Sequence, residues 1–224
     1  MFDLLIRNAQ VLDGTGASAY LADVAVKDGK IAAVGKLSGE AAETVDAAGL
    51  TLAPGFIDVH GHSDFFMPLD PARASKLLQG VTTELCGQCG LGPAPVTEQN
   101  YPVYHKYLSQ QGIPMYPDDR TFTSFSAYLS RMEQTPAGIN LAYFIPHGTV
   151  RLAVMGFSHD APDDRQLAQM RELVEDAMQA GALGLSTGLA YAPGRFAATD
   201  ELAALTEPVG RYGGVYTSHL RAEI

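Results

Sequence analysis

Up to about residue 52 the chain alternates apolar and polar positions over short runs, broken by Asp13-Gly14, Asp28-Gly29 and Gly49. Period-two alternation with such punctuation predicts short strands joined by hairpin-like turns. Near residue 53 the pattern lengthens into units of buried strand and helix. A strand at about 55–60 is followed by a helix near 71–79 that Gly80 ends, and Val81–Cys86 forms a second strand. Ile139–Ile145, Ala182–Ser186 and Val215–His219 read as three more. The clearest helix covers about 162–180. Pro162 suits its first turn, Asp163 and Asp164 favour the positive end of its dipole, and Gly181 closes it. Leu167, Met170, Val174, Ala177 and Met178 form its apolar stripe. Alternating strand and helix imply a parallel sheet with right-handed crossovers, hence an α/β class. The expected division is 1–52, a small β-domain, and 53–224, the strand–helix units.

Residues 96 to about 137 form a long connection between the second and third of these strands, rich in tyrosine and proline. Its second half, Thr121–Gln134, has helical spacing of Phe122, Phe125, Tyr128, Leu129 and Met132. Two readings stand open for the connection: a lid over a pocket, or a packed surface excursion.

Composition narrows the function classes. Of 224 residues, 46% are hydrophobic and 18% charged, an ordinary globular balance. Fifteen basic residues against 25 acidic give a net charge of −10, with no basic cluster, so nucleic acid is not an expected partner. No apolar run approaches the ~20 residues of a membrane helix. The start, Met1–Arg7, lacks a signal-peptide core, and the expected location is cytoplasmic. Two cysteines, Cys86 and Cys89, are too few and too close for a secreted disulfide framework.

The candidate chemistry lies where the strands end. The first runs Phe56-Ile57-Asp58-Val59 into His60-Gly61-His62. Alternate side chains of a strand share a face, so both imidazoles leave in one direction. Imidazole is the commonest metal ligand, and Gly61 keeps the space between the rings free of a side chain. The competing reading is two polar residues in a loop. The second strand leads into Cys86-Gly87-Gln88-Cys89-Gly90, the third into Pro146-His147-Gly148, the fourth into Ser186-Thr187-Gly188-Leu189-Ala190-Tyr191, and the fifth ends in His219-Leu220-Arg221-Ala222-Glu223. Metal-ligand residue types thus recur at matching places along four of five units.

Pro54–Asp64 resembles the strand-one metal motif of the amidohydrolase superfamily, and Ile6–Gly14 and Val26–Gly35 resemble strands of the small β-domain that precedes its barrels. Gly80-Val81-Thr82-Thr83 with Gly87-Gln88-Cys89-Gly90, Gly181–Gly194 and Thr217–Glu223 are similar to motifs of its N-acyl-D-amino-acid deacylases (D-aminoacylases). The resemblance covers essentially the whole chain. It implies the first five strands of a (β/α)₈ TIM-like barrel, preceded by the N-terminal part of a small β-sandwich domain. It further implies that His60 and His62 hold one zinc position, that Cys89 is a bridging thiolate, and that His219 serves the other position. One zinc would bind tightly and a second more weakly. Tyr191 matches a substrate-contacting tyrosine, against the simpler reading of a packed aromatic. Asp64 is either a partner that orients a histidine or a loop cap, and Arg221 and Glu223 either anchor the site or pair on a loop. Cys86 reads as a small buried hydrophobe, His147 as a structural or pocket histidine, and His105 and His159 as surface residues.

The implied reaction is zinc-dependent hydrolysis of an N-acyl-D-amino acid to a carboxylate and a D-amino acid. The resemblance places the general-base aspartate, a further zinc histidine and a substrate-binding lysine beyond residue 224. The chain therefore reads as the N-terminal part of a longer enzyme, inactive alone and prone to self-associate through an incomplete barrel. Two alternatives stand beside this reading. One is a cyclic-amide hydrolase of the dihydropyrimidinase type, disfavoured by the absence of a lysine on the fourth strand. The other is a non-catalytic or partner-completed module.

Overall fold

The computed structural model describes residues 1–66, 74–113 and 122–222. The chain divides into two compact units, Met1–Gly55 and Phe56–Ile224.

In the first unit, β1 (Phe2–Val11), β2 (Tyr20–Lys27), β3 (Lys30–Gly35), β4 (Ala41–Asp46) and β5 (Thr51–Leu52) form one mixed sheet. The order is β3-β2-β1-β4, with β5 also on β1. β2 and β3 join through Asp28-Gly29, both at positive φ (51° and 71°), the backbone that a two-residue hairpin turn of this twist requires. β1 carries a register shift between Ile6 and Ala9, where Asn8 has a φ of 59°. Asp23 accepts the Asn8 N–H at 2.9 Å, and the Asn8 side chain donates to Asp46 at 2.9 Å. Ala9, Val11, Ala22, Val24 and Ala47 are the buried cluster of this unit.

The second unit runs β6 (Phe56–Asp58), α1 (Ala74–Leu77), β7 (Val81–Cys86), α2 (Tyr101–Gln110), α3 (Phe125–Glu133), β8 (Asn140–Tyr143), β9 (Ile145–Pro146), α4 (His147–Met155), α5 (Asp164–Gln179), β10 (Gly184–Gly188), α6 (Thr199–Arg211) and β11 (Val215–His219). β6-β7-β8 pair in parallel, as do β9-β10-β11. β8 and β9 are one run of chain interrupted at Phe144. There the Phe144 N–H bonds Cys86 on one side at 2.9 Å, and the Tyr143 carbonyl accepts from Leu183 on the other at 2.8 Å. The described residues therefore form five parallel positions in chain order, each strand beside its predecessor. Phe56 and Ile57 on β6, and Val215 on β11, are more than half exposed at the two edges.

α5 is capped by a reciprocal pair. The Asp163 carboxylate accepts the Gln166 N–H at 2.7 Å, and the Gln166 side chain accepts the Asp163 N–H at 2.9 Å. Met170, Val174, Ala177 and Met178 bury its stripe against Ile145, Leu185, Leu205 and Val209. Ser124 caps α3 by accepting the Ala127 N–H at 3.2 Å.

Three helices are not marked by the sequence pattern. α4 begins directly at the end of β9. α6 forms although it contains Pro208 and Gly210. α2 occupies the first half of the 96–137 connection and is packed: Tyr104 and Leu108 are buried with Val96 and Leu152, and the Tyr104 hydroxyl donates to the Gly92 carbonyl at 2.7 Å. Residues 114–121 of that connection, and 67–73, which include the start of the helix expected near 71–79, lie outside the described residues.

Candidate metal centre

β6 ends at Asp58, yet the chain continues alongside β7: the Gly61 N–H donates to the Leu85 carbonyl at 3.0 Å. This places His60 and His62 on either side of Gly61, their rings edge-on with centroids 5.6 Å apart. Behind Gly61 stands Glu84, fully buried on β7. A Cβ at Gly61 would lie 1.8 Å from Glu84 Oε1. So the space at this glycine is filled by a carboxylate, which also accepts the Ser63 N–H at 3.2 Å.

Cys89 reaches the pair from the turn after β7. His60 Nε2 lies 3.0 Å from Cys89 Sγ, and the donor atoms of His60, His62 and Cys89 all fall within 4.8 Å of one another. Tetrahedral zinc with bonds of about 2.0–2.3 Å separates its ligands by roughly 3.4–3.7 Å, so this donor set fits such an ion. Metal ligation also needs a neutral imidazole. Burial, then the neighbouring charge of His60, holds His62 below the usual histidine range, against the pull of Glu84.

The Cys89 turn is a tight piece of backbone. Gly87, Cys89 and Gly90 all have positive φ (72°, 57° and 66°). A side chain at Gly87 would strike the Phe144 carbonyl oxygen at 2.1 Å, and one at Gly90 the Gly188 nitrogen at 2.6 Å. Ser186 clasps the turn: its hydroxyl accepts the Gly90 N–H at 3.0 Å and donates to the Gly87 carbonyl. Asp64 holds it from the other side, accepting the Gly87 N–H at 3.0 Å and the Phe65 N–H at 3.2 Å. Burial raises the Asp64 pKa to about 7; those two N–H groups oppose the rise and the Glu84 charge adds to it. Among the described residues, Asp64 thus bonds the Cys89 turn rather than an imidazole.

His219 ends β11 and lines one cavity of about 520 Å³ with His60, Cys89, Gln88, Leu85 and Phe144. Its ring packs edge-on against Tyr191 at 5.2 Å. The Tyr191 hydroxyl donates to the Cys89 carbonyl at 2.6 Å, and burial raises its pKa. Arg221 is exposed and donates to the Arg195 carbonyl at 2.6 Å and to that of Ala197. It ties the end of β11 to the turn after β10. Glu223 lies outside the described residues.

The sequence profile of the amidohydrolase family matches residues 43–214. The chain belongs to the amidohydrolase family. A D-aminoacylase of Alcaligenes xylosoxydans xylosoxydans is 40% identical over 223 residues, 99% of this chain and 45% of the relative. A solved N-acyl-D-glutamate deacylase of Bordetella bronchiseptica, complexed with zinc and a phosphonate mimic of the tetrahedral intermediate, is 36% identical. It superposes with a TM-score of 0.89 over 99% of this chain and 46% of its own. A D-aminoacylase solved to define the role of its binuclear metal centre is also 36% identical, with a TM-score of 0.90 over 100% and 46% of the two chains. The chain thus spans about half the length of the curated relatives it matches.

His147, His105 and His159 lie apart from the cluster. His147 is fully buried and bonds Glu201 at 2.9 Å, and Arg151 pairs with the other carboxylate oxygen of Glu201. Burial alone would raise the Glu201 pKa, but His147 and then Arg151 together hold it below the usual value. His105 and His159 are exposed, and Cys86 is buried in the core beside β8–β10. Sequence reasoning passed over Glu84, Ser186 and the side chain of Gln88. The one linear signal for Glu84 is a carboxylate in the middle of a buried strand.

Proposed function

We propose that this chain carries the zinc-binding part of an N-acyl-D-amino-acid deacylase, an enzyme that hydrolyses a linear amide to a carboxylate and a free D-amino acid. The observation that carries the reading is the convergence of His60, His62 and Cys89 to within ligand reach, with a cysteine sulfur as donor where no lysine is offered by β10. That absence, together with Cys89, favours linear over cyclic amides. The relatives point the same way, being a D-aminoacylase and a deacylase of an N-acyl-D-amino acid.

In this reading the five parallel strands belong to a (β/α)₈ barrel, with residues 1–52 contributing to a small β-sandwich domain and 53–224 to the barrel. His60 and His62 would hold one zinc and His219 would serve a second, more weakly held ion, with Cys89 as the thiol donor available to both. When bound, zinc supplies Lewis acidity toward the amide carbonyl and toward water. The chain's own residues orient it. Glu84 and Gly61 set the angle between the histidines, and Ser186 and Asp64 fix the turn that presents the thiol. Tyr191 braces Cys89 and His219 and, by the family resemblance, would also contact substrate, and Arg221 secures the His219 strand end. No residue of 1–224 is assigned here as the base that moves the proton. Zinc binding rather than turnover is therefore the property asked of this chain. The exposed edges β6 and β11 also support self-association. Among the described residues no helix is long and apolar enough to cross a membrane.

The test is metal analysis of the purified chain with His60→Ala and Cys89→Ala. Wild type is expected to retain zinc through dialysis, with both variants losing most of it. Cobalt substitution should give a thiolate charge-transfer band that Cys89→Ala abolishes. Unchanged zinc content in both variants would reject the assignment.

A further inference from the structure

Gln88 is 1% exposed and precedes Cys89 directly. An amide offers both donor and acceptor groups, and here each goes to a different strand. Nε2 donates to the Val59 carbonyl at 2.9 Å, and Oε1 accepts from Thr217 Oγ1 at 3.1 Å. The Val59 carbonyl can only accept, which settles which end of the amide faces it. Val59 is the residue before His60 and continues from β6. Thr217 lies on β11, two residues before His219. β6 and β11 are the first and last of the five parallel positions and are not paired with each other. One buried side chain therefore spans the two strand ends that bear the histidines, and Cys89 follows it in the chain.

The geometry points to Gln88 as a positioning residue that sets how far His219 stands from the His60–His62–Cys89 cluster, and so whether His219 responds to an ion seated there. This rests on the zinc-binding reading above. The chemistry is specific to glutamine. A carboxylate at position 88 would face the Val59 carbonyl with no N–H between them. Asparagine, one methylene shorter, reaches only one of the two partners. Thr217 needs its hydroxyl but not its methyl, so serine keeps the strut and valine removes it with almost no change of shape.

The experiment follows the imidazole resonances by NMR, and the affinity by competition with a chelator, as zinc is added to the metal-free full chain. Wild type, Gln88→Glu, Thr217→Val and Thr217→Ser are compared. In wild type the signals of His60, His62 and His219 are expected to respond. In Gln88→Glu and Thr217→Val the first two still respond, His219 does not, and zinc affinity falls about 10- to 100-fold, the range for residues that orient metal ligands. Thr217→Ser behaves as wild type. A merely structural role would lower the melting point without separating His219 from the other two histidines. If Gln88→Glu fails to fold, the valine and serine pair at 217 decides the matter. His219 responding at unchanged affinity in Thr217→Val would overturn the inference, as would a silent His219 in wild type whose other two histidines respond. A wild-type chain in which none of the three responds would instead sink the zinc-binding reading itself.

Discussion

Replacing Gly61 by alanine tests the packing behind the histidine pair. The new Cβ would lie 1.8 Å from Glu84 Oε1, 2.5 Å from its Cδ and 2.6 Å from its Cγ. Real contacts of this kind do not exist, so one group must move. The backbone at Gly61 is tied to Leu85, and Glu84 is fully buried, so neither has an easy exit. Forced overpacking of a dense interior costs about 1–3 kcal/mol. Swinging the carboxylate away also breaks its bond to the Ser63 N–H, and hydrogen bonds to charged groups contribute about 1.5–3 kcal/mol. Gly61→Ala should therefore lose about 2.5–6 kcal/mol if the two effects add. Glu84→Ala removes the obstructing atoms, so the same methyl should be tolerated on that background. Urea unfolding of the four proteins of this cycle, in chelator at neutral pH, reads the coupling directly. It should be favourable by at least about 1.5 kcal/mol. Additivity within about 0.5 kcal/mol would refute the claim that Gly61 is required by Glu84.

Two further outcomes follow from the site and its surroundings. Cys89 is a non-glycine residue at φ 57°, a conformation that disfavours a side chain by about 1–2 kcal/mol. Subtracting glycine's larger unfolded-state entropy, metal-free Cys89→Gly should be about 1 kcal/mol more stable than Cys89→Ala, with both losing zinc; equal melts would contradict this. Glu201→Gln leaves Arg151 buried without its carboxylate partner and should lose about 3–5 kcal/mol at pH 7. Because the folded pKa of Glu201 lies below its usual 4.5, this stabilisation is present above 4.5 and fades as pH falls through the lower folded value. Denaturant unfolding as a function of pH should show wild type and variant converging below pH 4.5, and a gap that stays constant down to pH 3 would be inconsistent with it.

Elements governed by local pattern were legible in the chain, and those governed by tertiary packing were not. α5 announces itself by a capping pair and an apolar stripe, and the β2–β3 turn by Asp28-Gly29. α4 does not, because no side chain caps its start and the helix-weakening Gly148 stands in its first turn. Yet Gly148 is where a Cβ would sit 2.4 Å from the Gly90 carbonyl oxygen, so glycine there meets a packing demand, not a need to end a helix. α6 carries Pro208 and Gly210, both helix-weakening by propensity. Leu205, Pro208 and Val209 bury its inner face, and that burial outweighs the local cost.

The same division runs through the site. His60, His62, Cys89 and His219 can be picked out because strand ends in a parallel sheet converge, and a linear pattern shows where strands end. What holds those residues in place cannot be picked out that way. The Ser186 bonds to the Cys89 turn join residues 96 and 99 apart, and the Gln88–Thr217 bond joins residues 129 apart. Asp64 and Tyr191 show the consequence. The sequence offers Asp64 as a partner that orients a histidine and Tyr191 as a substrate contact, yet both direct their polar atoms at the Cys89 turn. Glu84 fills the space behind Gly61, a demand for glycine that the linear pattern does not show. A thiol on so constrained a backbone, approached by Ser186, Asp64, Tyr191 and the Gln88 amide, has little freedom to relocate. Removing any one of these supports should therefore affect metal affinity before it affects the fold.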